Sequence, residues 1–464
     1  MRYTNHNTVE DLKIAYIGGG SQGWAWGLMS DLAAATDISG KVALYDIDYE
    51  AAKKNEVIGN RYNDLPDCHS KWDYKAVNTL EEALTDANFV VISILPGTFD
   101  EMASDVHTPE KYGIYQSVGD TTGPGGILRA LRTIPQMEVI AHGIRDYCPK
   151  AWVINYTNPM AICVKALYDA FPEIRAFGCC HEVFGGKKLL ASAVKDICGF
   201  DGITRDDIKI NVVGVNHFTW VTEATWHGMD LIPIYKEFCE KYYETGFDGA
   251  EEINWDNSAH ATNRRVKFDL FLRYGYFANA GDRHLAEFCP KNWYLTNEAC
   301  AHSFGFGLTS VDWRKQRQKT RYELGLKRAS GEENVKINIS GEEGVLQMRA
   351  LLGLTELITN VNMPNRGQIP NMPLGVVVET NAIFRDGMLN PVYSGNVPKE
   401  IYGLISRIAE AQLLVAEAGR TRNLQKAFLA FVNDPLVDLA PDQAKALFDE
   451  MVENTKNYLR EYIE

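Results

Sequence analysis

Lys13-Ile14-Ala15-Tyr16-Ile17-Gly18-Gly19-Gly20-Ser21-Gln22-Gly23 is the stretch that decides the fold. An apolar run enters a Gly18-x-Gly20-x-x-Gly23 turn, and the residues from Trp24 to Ala33 then carry apolar side chains at helical spacing. Strand, glycine turn and helix in that order form the context that a dinucleotide fingerprint needs. Gly18 is expected to permit the tight turn, Gly20 to let backbone approach a pyrophosphate, and Gly23 to let the helix pack close to the strand. Ser21 and Gln22 complete the turn, and the helix's unpaired N–H groups face the phosphates. A second strand, Lys41-Val42-Ala43-Leu44-Tyr45, ends in Asp46. That carboxylate is placed to bind both ribose hydroxyls and to repel a 2′-phosphate, so the expected cofactor is NAD rather than NADP.

Farther along, Asn88 to Ile94 reads as a fully buried parallel strand. Its carboxyl end, Leu95-Pro96-Gly97, lies where open α/β sheets place ligands, so Leu95 and Pro96 join the cofactor residues. Thr121 to Gly126 lead into a helical pattern running to about Tyr147. Strands at Trp152–Tyr156 and Ile174–Gly178 stop at Thr157-Asn158-Pro159 and at Cys179-Cys180-His181. The fold expected is α/β: an N-terminal Rossmann-type doubly wound parallel sheet with a C-terminal α+β domain, as in lactate and malate dehydrogenases. Residues 1–200 form the NAD-binding domain and residues 201–464 the substrate, metal and oligomerisation domain. In the latter, Ile208 to Val215 reads as a strand leading into Asn216-His217. Val345–Ile358 and Glu400–Glu417 read as helices.

Composition excludes several classes of function. The 464 residues carry a net charge of −14 and no sustained basic block, which argues against nucleic acid or an anionic membrane as partner. No apolar run is long enough to span a bilayer, and the first residues lack a secretory apolar region. The nine cysteines are scattered through a long chain rather than arranged as a disulfide scaffold. Reduced thiols and a cytoplasmic location are expected.

Cys180 follows one strand and His217 follows another. A thiolate and an imidazole together suit a divalent first-row metal, although each alone is more often a buried structural residue. Six segments then carry a family resemblance: Ile17–Ser21, Gly119–Gly126, Asn155–Met160, Cys180-His181-Glu182-Val183, Gly214–His217 and Asn362–Gly367. In this order they resemble glycoside hydrolase family 4, the NAD- and metal-dependent glycosidases, over nearly the whole chain. Cys-His-Glu-Val resembles the α-galacturonidase subgroup.

The resemblance implies a chemistry different from two-carboxylate glycoside hydrolysis. NAD takes hydride from C3 of the sugar, a base removes the acidified C2 proton, and the C1–oxygen bond breaks with help from an acid. Water then adds at C1 and the hydride returns, with a divalent metal on the C2 and C3 oxygens. On this scheme Cys180 and His217 hold the metal, with Mn2+ implied by the family. His181 stands where phospho-glucosidase members carry an Asp read as the acid, and takes that role here. No tyrosine falls in register with the base of other members; Asp282 and His284 are the alternatives, with Asp282 preferred. Asn158 is expected on a sugar hydroxyl, unless it caps the following helix. Arg283 or Arg366 is expected on a uronate carboxylate, with Arg264-Arg265 as a further option. A homodimer or homotetramer acting on a small uronic acid glycoside is implied. Competing readings are an α-glucuronidase or α-galactosidase of the same family, a 2-hydroxyacid dehydrogenase that would need no metal, and a nucleotide-sensing protein without chemistry.

Overall fold

The computed structural model describes residues 1–5, 7–247 and 261–463. The first half builds β1 (Arg2–Asn5), β2 (Thr8–Ile17), β3 (Ile38–Tyr45), β4 (Trp72–Val77), β5 (Phe89–Ile92), β6 (Trp152–Asn155) and β7 (Arg175–Gly178). Strands β2 to β7 are all parallel, in the order β4-β3-β2-β5-β6-β7. This is the doubly wound order of a Rossmann sheet, with its switch point between β2 and β5. β1 pairs antiparallel with the start of β2.

Side-chain alternation shows why helices must cover both faces. Ile14 and Tyr16 of β2, with Phe89 and Val91 of β5, pack in one apolar cluster beside the helix Trp24–Ala34. Ala15 and Ile17, with Val90 and Ile92, pack in another against the helix Gly123–Tyr147. Strands buried on both faces read as continuous apolar runs, which is how β2 and β5 look in the sequence.

The second half contributes two different pieces. β8 (Lys209–Val215), β9 (Phe218–Trp226), β10 (Met229–Asp230) and β11 (Phe277–Ala278) form a separate antiparallel sheet. β12 (Leu357–Pro364), β13 (Val377–Arg385) and β14 (Met388–Pro391) instead extend the first sheet, because β12 docks antiparallel on β7 with Asn362 opposite Gly178. The two halves thus share one sheet and one core. The helix expected over Val345–Ile358 is shorter, Gly344–Leu351: Gly353 turns left-handed at φ +77, and Leu357 already belongs to β12. Asn362 lies inside the same strand. Helix Lys399–Arg420 contains the expected Glu400–Glu417. All nine cysteines are free. Among the described residues no helix is long and apolar enough to cross a membrane.

Candidate active site

The strand ends open on one cleft of about 2120 Å³. That is roughly twice the upper size of a pocket for one small ligand, about 1,000 Å³, so it has room for a dinucleotide beside a second molecule. Gly18, Gly20, Ser21, Gln22, Gly23, Asp46, Leu95 and Pro96 line one end. Gly18 sits at φ +93, and a Cβ there would lie 2.0 Å from the Ser93 carbonyl oxygen. The turn therefore needs glycine for both conformation and space. Gly23 does not face a strand: a Cβ there would meet the Arg321 guanidinium, 2.0 Å from Nη1. Asp46 Oδ2 accepts the Gly20 N–H at 2.8 Å, and Oδ1 accepts the Asp48 N–H at 3.0 Å. Its carboxylate thus fastens the glycine turn to the end of β3 while facing the cleft. Asp46→Ala is expected to weaken NAD by about 1.5–3 kcal/mol and relax discrimination against NADP. Calorimetric titration with both dinucleotides reads this; unchanged NAD affinity would move the ribose site elsewhere.

At the other end of the cleft stand Asp120, His217 and His284. One ligand atom from each lies within 4.8 Å of the others. The helix Gly123–Tyr147 starts just after Asp120, β8 delivers His217, and the short helix Asp282–Phe288 delivers His284, whose ring stacks on His217 with centroids 4.1 Å apart. Thr121 Oγ1 lies 2.8 Å from Asp120 Oδ1 and 3.0 Å from His217 Nδ1. A hydroxyl has one proton and an ionised carboxylate has none. The hydroxyl therefore donates to Asp120, and His217 Nδ1–H donates to the hydroxyl. Nε2 of His217 is left with its lone pair, the form that binds a metal. Burial, and then the neighbouring His284, push His217 down to about 3, so it is neutral at physiological pH. Burial of Asp120 works toward the neutral form, but Arg129, His284 and His217 outweigh it and hold the carboxyl far below the usual range.

Cys180 stands two residues past β7, and it packs with Met160, Ala161, Val164 and Val377 rather than among those three groups. Burial, Glu379 and Glu182 raise its pKa, against a hydrogen bond from the Asn216 side chain. Asn216 immediately precedes His217 and also donates to Glu379 Oε2 at 3.0 Å. Of the two metal residues expected from the sequence, His217 lies in the cluster and Cys180 outside it.

His181 lines the cleft with Nδ1 3.0 Å from Glu342 Oε1. That hydrogen bond raises its pKa, against desolvation, and so favours the imidazolium that a proton donor needs. Asn158 also lines the cleft. Its Nδ2 lies 3.5 Å from Asp120 Oδ2, and its buried Oδ1 has no hydrogen-bond partner among the described residues. The helix Met160–Ala170 has no side-chain cap, so Asn158 does not serve as one.

Two expectations are corrected. Asp282 is fully buried and its carboxylate is occupied by protein. Thr262 Oγ1 donates to it at 2.6 Å, and the Val266 and Lys267 N–H groups donate at 3.2 Å, so it closes the N-terminus of the helix Arg265–Tyr274. An acceptor so occupied anchors structure rather than taking a carbon-bound proton. Asp282→Ala is expected to destabilise the fold by about 3 kcal/mol, since several charged hydrogen bonds of roughly 1.5–3 kcal/mol each are lost. Urea unfolding measures this, and a variant of wild-type stability would return Asp282 to the catalytic candidates. Arg366 is exposed with its guanidinium 5.8 Å from the Tyr168 ring centroid, away from the cleft lining. Arg283 does line the cleft, oriented by hydrogen bonds from Nη1 to Thr309 Oγ1 at 2.9 Å and from Nε to the Ala261 carbonyl at 3.2 Å.

Sequence reasoning gave no role to Asp120, Glu342, Arg129 or the arginines of the helix Val311–Ser330. Only Asp120 carried a signal, as the one charged residue of the Gly119–Gly126 segment.

Comparison with known proteins agrees with the six sequence segments. The Family 4 glycosyl hydrolase model matches residues 13–196, and the Family 4 glycosyl hydrolase C-terminal domain matches residues 212–437. An α-galacturonidase of Thermoanaerobacterium saccharolyticum is 57% identical over 459 residues, covering 99% of this chain and 98% of the relative. The crystal structure of lplD from Bacillus subtilis has a TM-score of 0.91 at 49% identity, covering 96% of this chain and 100% of the other. A 6-phospho-α-glucosidase from gut microorganisms, solved in complex with NAD and Mn2+, shares the fold with a TM-score of 0.80 at 20% identity, covering 97% and 99% of the two chains. The chain belongs to glycosyl hydrolase family 4.

Proposed function

We propose that this glycosidase cleaves α-galacturonosides by transient oxidation at sugar C3, with NAD and Mn2+ as cofactors. The observation that carries the substrate class is the 57% identity, over essentially both full lengths, to a relative named α-galacturonidase. The glycine turn with Asp46 fits the dinucleotide, and the unprotonated Nε2 of His217 beside the Asp120 carboxylate fits a divalent cation. When bound, NAD supplies reversible hydride acceptance and the metal supplies polarisation of sugar oxygens.

The chain's own groups do the rest. His217 and Asp120 hold the cation, and Cys180 joins them as the family resemblance implies. His284, whose buried Nδ1 has no hydrogen-bond partner among the described residues and whose ring lies on His217, takes the C2 proton. His181, whose pKa the Glu342 hydrogen bond raises, gives a proton to the departing C1 oxygen. Asn158 holds a sugar hydroxyl, and Arg283 pairs with the uronate carboxylate. Nine free thiols are consistent with a cytoplasmic enzyme, and we expect a homodimer or homotetramer.

p-Nitrophenyl α-D-galacturonide with catalytic NAD and Mn2+ tests the reading, with the α-glucuronide, α-galactoside and α-glucoside alongside. Nitrophenol released fastest from the galacturonide without net NADH is expected. Preference for another sugar would displace the substrate class, and stoichiometric NADH would displace the glycosidase mechanism. Glu342 should also set the alkaline limb of kcat/KM. Because its hydrogen bond raises the pKa of His181, the protonated acid persists to higher pH and is lost as pH rises through that raised value. Glu342→Gln is expected to move the alkaline limb to lower pH; an unmoved limb would remove His181 as the acid.

A further inference from the structure

The long helix Val311–Ser330 comes from the second half of the chain yet lies along the cleft, which Arg314, Arg317 and Arg321 line. Arg321 reaches the glycine turn itself, and its Nη1 donates to the Gln22 carbonyl at 2.8 Å. The place where a Gly23 Cβ would stand is taken by this guanidinium, 2.0 Å from Nη1 and 3.2 Å from the central carbon. Arg317, one turn earlier on the same helix, faces the same cleft with its guanidinium 5.2 Å from the Trp313 ring centroid. On the same helix Lys315 pairs with Asp100 and Lys327 with Glu332. Among the described residues, by contrast, neither Arg317 nor Arg321 has a carboxylate within ion-pair distance. Arg321 is partly buried with the like charge of the exposed Arg317 near it, at the turn whose N–H groups would receive an anion, and among the described residues no carboxylate pairs with either.

We propose that Arg321 is a pyrophosphate-binding residue of the dinucleotide site, contributed by the second half of the chain and seated in the space that Gly23 leaves. One Nη1 hydrogen bond to Gln22 fixes the guanidinium at the turn and leaves Nε and Nη2 to meet phosphate oxygens, the planar fork geometry that favours arginine over lysine. The glycine turn would then supply N–H donors from one side and Arg321 a charge from the other. The first and second halves of the chain would close on the cofactor together. This inference rests on the proposed use of NAD.

Calorimetric binding of NAD, ADP-ribose and adenosine to the wild type, Arg321→Ala, Arg321→Lys and Lys327→Ala tests it. Lys327→Ala makes the same charge change on the same helix outside the cleft. Arg321→Ala is expected to weaken NAD and ADP-ribose on the order of 10- to 100-fold, the loss of a charged hydrogen-bonding partner, while adenosine binding stays within about twofold. Arg321→Lys should fall between, and Lys327→Ala should match the wild type. Retained ADP-ribose affinity in Arg321→Ala would overturn the inference while leaving the NAD reading intact. Equal losses for adenosine and ADP-ribose would make Arg321 a structural residue and also overturn it. A wild type that binds neither NAD nor ADP-ribose would overturn the NAD reading and the inference together.

Discussion

His217→Ala is expected to abolish specific divalent-metal binding and, with it, nearly all turnover. The imidazole is the one group common to the cation cluster of the structure and to the pair expected from the sequence. Its tautomer is fixed by the Asp120–Thr121–His217 chain of hydrogen bonds, which leaves Nε2 unprotonated. Because its pKa lies near 3, protons do not compete with a cation at neutral pH. Loss of an outer hydrogen-bond partner of a ligand costs roughly 10- to 100-fold in metal affinity, so loss of the ligand itself should exceed that range. Mn2+ titration followed by electron paramagnetic resonance measures it directly. Thr121→Val should fall within the outer-partner range. Asp120→Asn and Cys180→Ser then apportion the remaining ligands, since a serine hydroxyl is a poor substitute for a thiolate. Wild-type Mn2+ affinity in His217→Ala would place the cation elsewhere in the cleft.

How much of this was legible in the sequence depended on whether the interaction was local. The strand, glycine turn and helix of residues 13–34 are set by neighbours in the chain, and they form as read, with Gly18 in the left-handed region. The apolar run of β5 likewise declares its burial on both faces. What stayed hidden was set by distant partners. Nothing near Leu357–Pro364 signals that this strand docks on β7 and carries Asn362 to Gly178. Asp282 and His284 look equally suited to a cleft, yet two residues separate a helix anchor from a ring stacked on His217. The third glycine was read as a packing device between helix and strand. Its actual neighbour, Arg321, comes from the other half of the chain, and only the folded structure brings the two together.

Turnover in D2O is expected to leave deuterium at C2 of the galacturonic acid product. Oxidation at C3 makes the C2–H bond acidic, and cleavage of the C1–oxygen bond by elimination must break it, whereas direct displacement at C1 never touches it. The proton that returns to C2 comes from a group in exchange with solvent. His284 is the group assigned to that exchange, because Asp282 is occupied by Thr262 and the backbone of the helix Arg265–Tyr274 while the His284 Nδ1 has no partner among the described residues. A substrate deuterated at C2 should correspondingly show a primary isotope effect, unless product release is slow enough to mask it. Label in the product is therefore the firmer readout. His284→Ala should suppress turnover by roughly 100- to 10,000-fold, the range typical of a lost general base. That variant should remain folded, since the ring forms a stack but no hydrogen bond from Nδ1. If the wild type returns only protium at C2, and complete removal of bound NAD leaves turnover intact, the oxidation–elimination mechanism fails. If label enters at an undiminished rate in His284→Ala, the mechanism stands and the base lies elsewhere on the cleft wall.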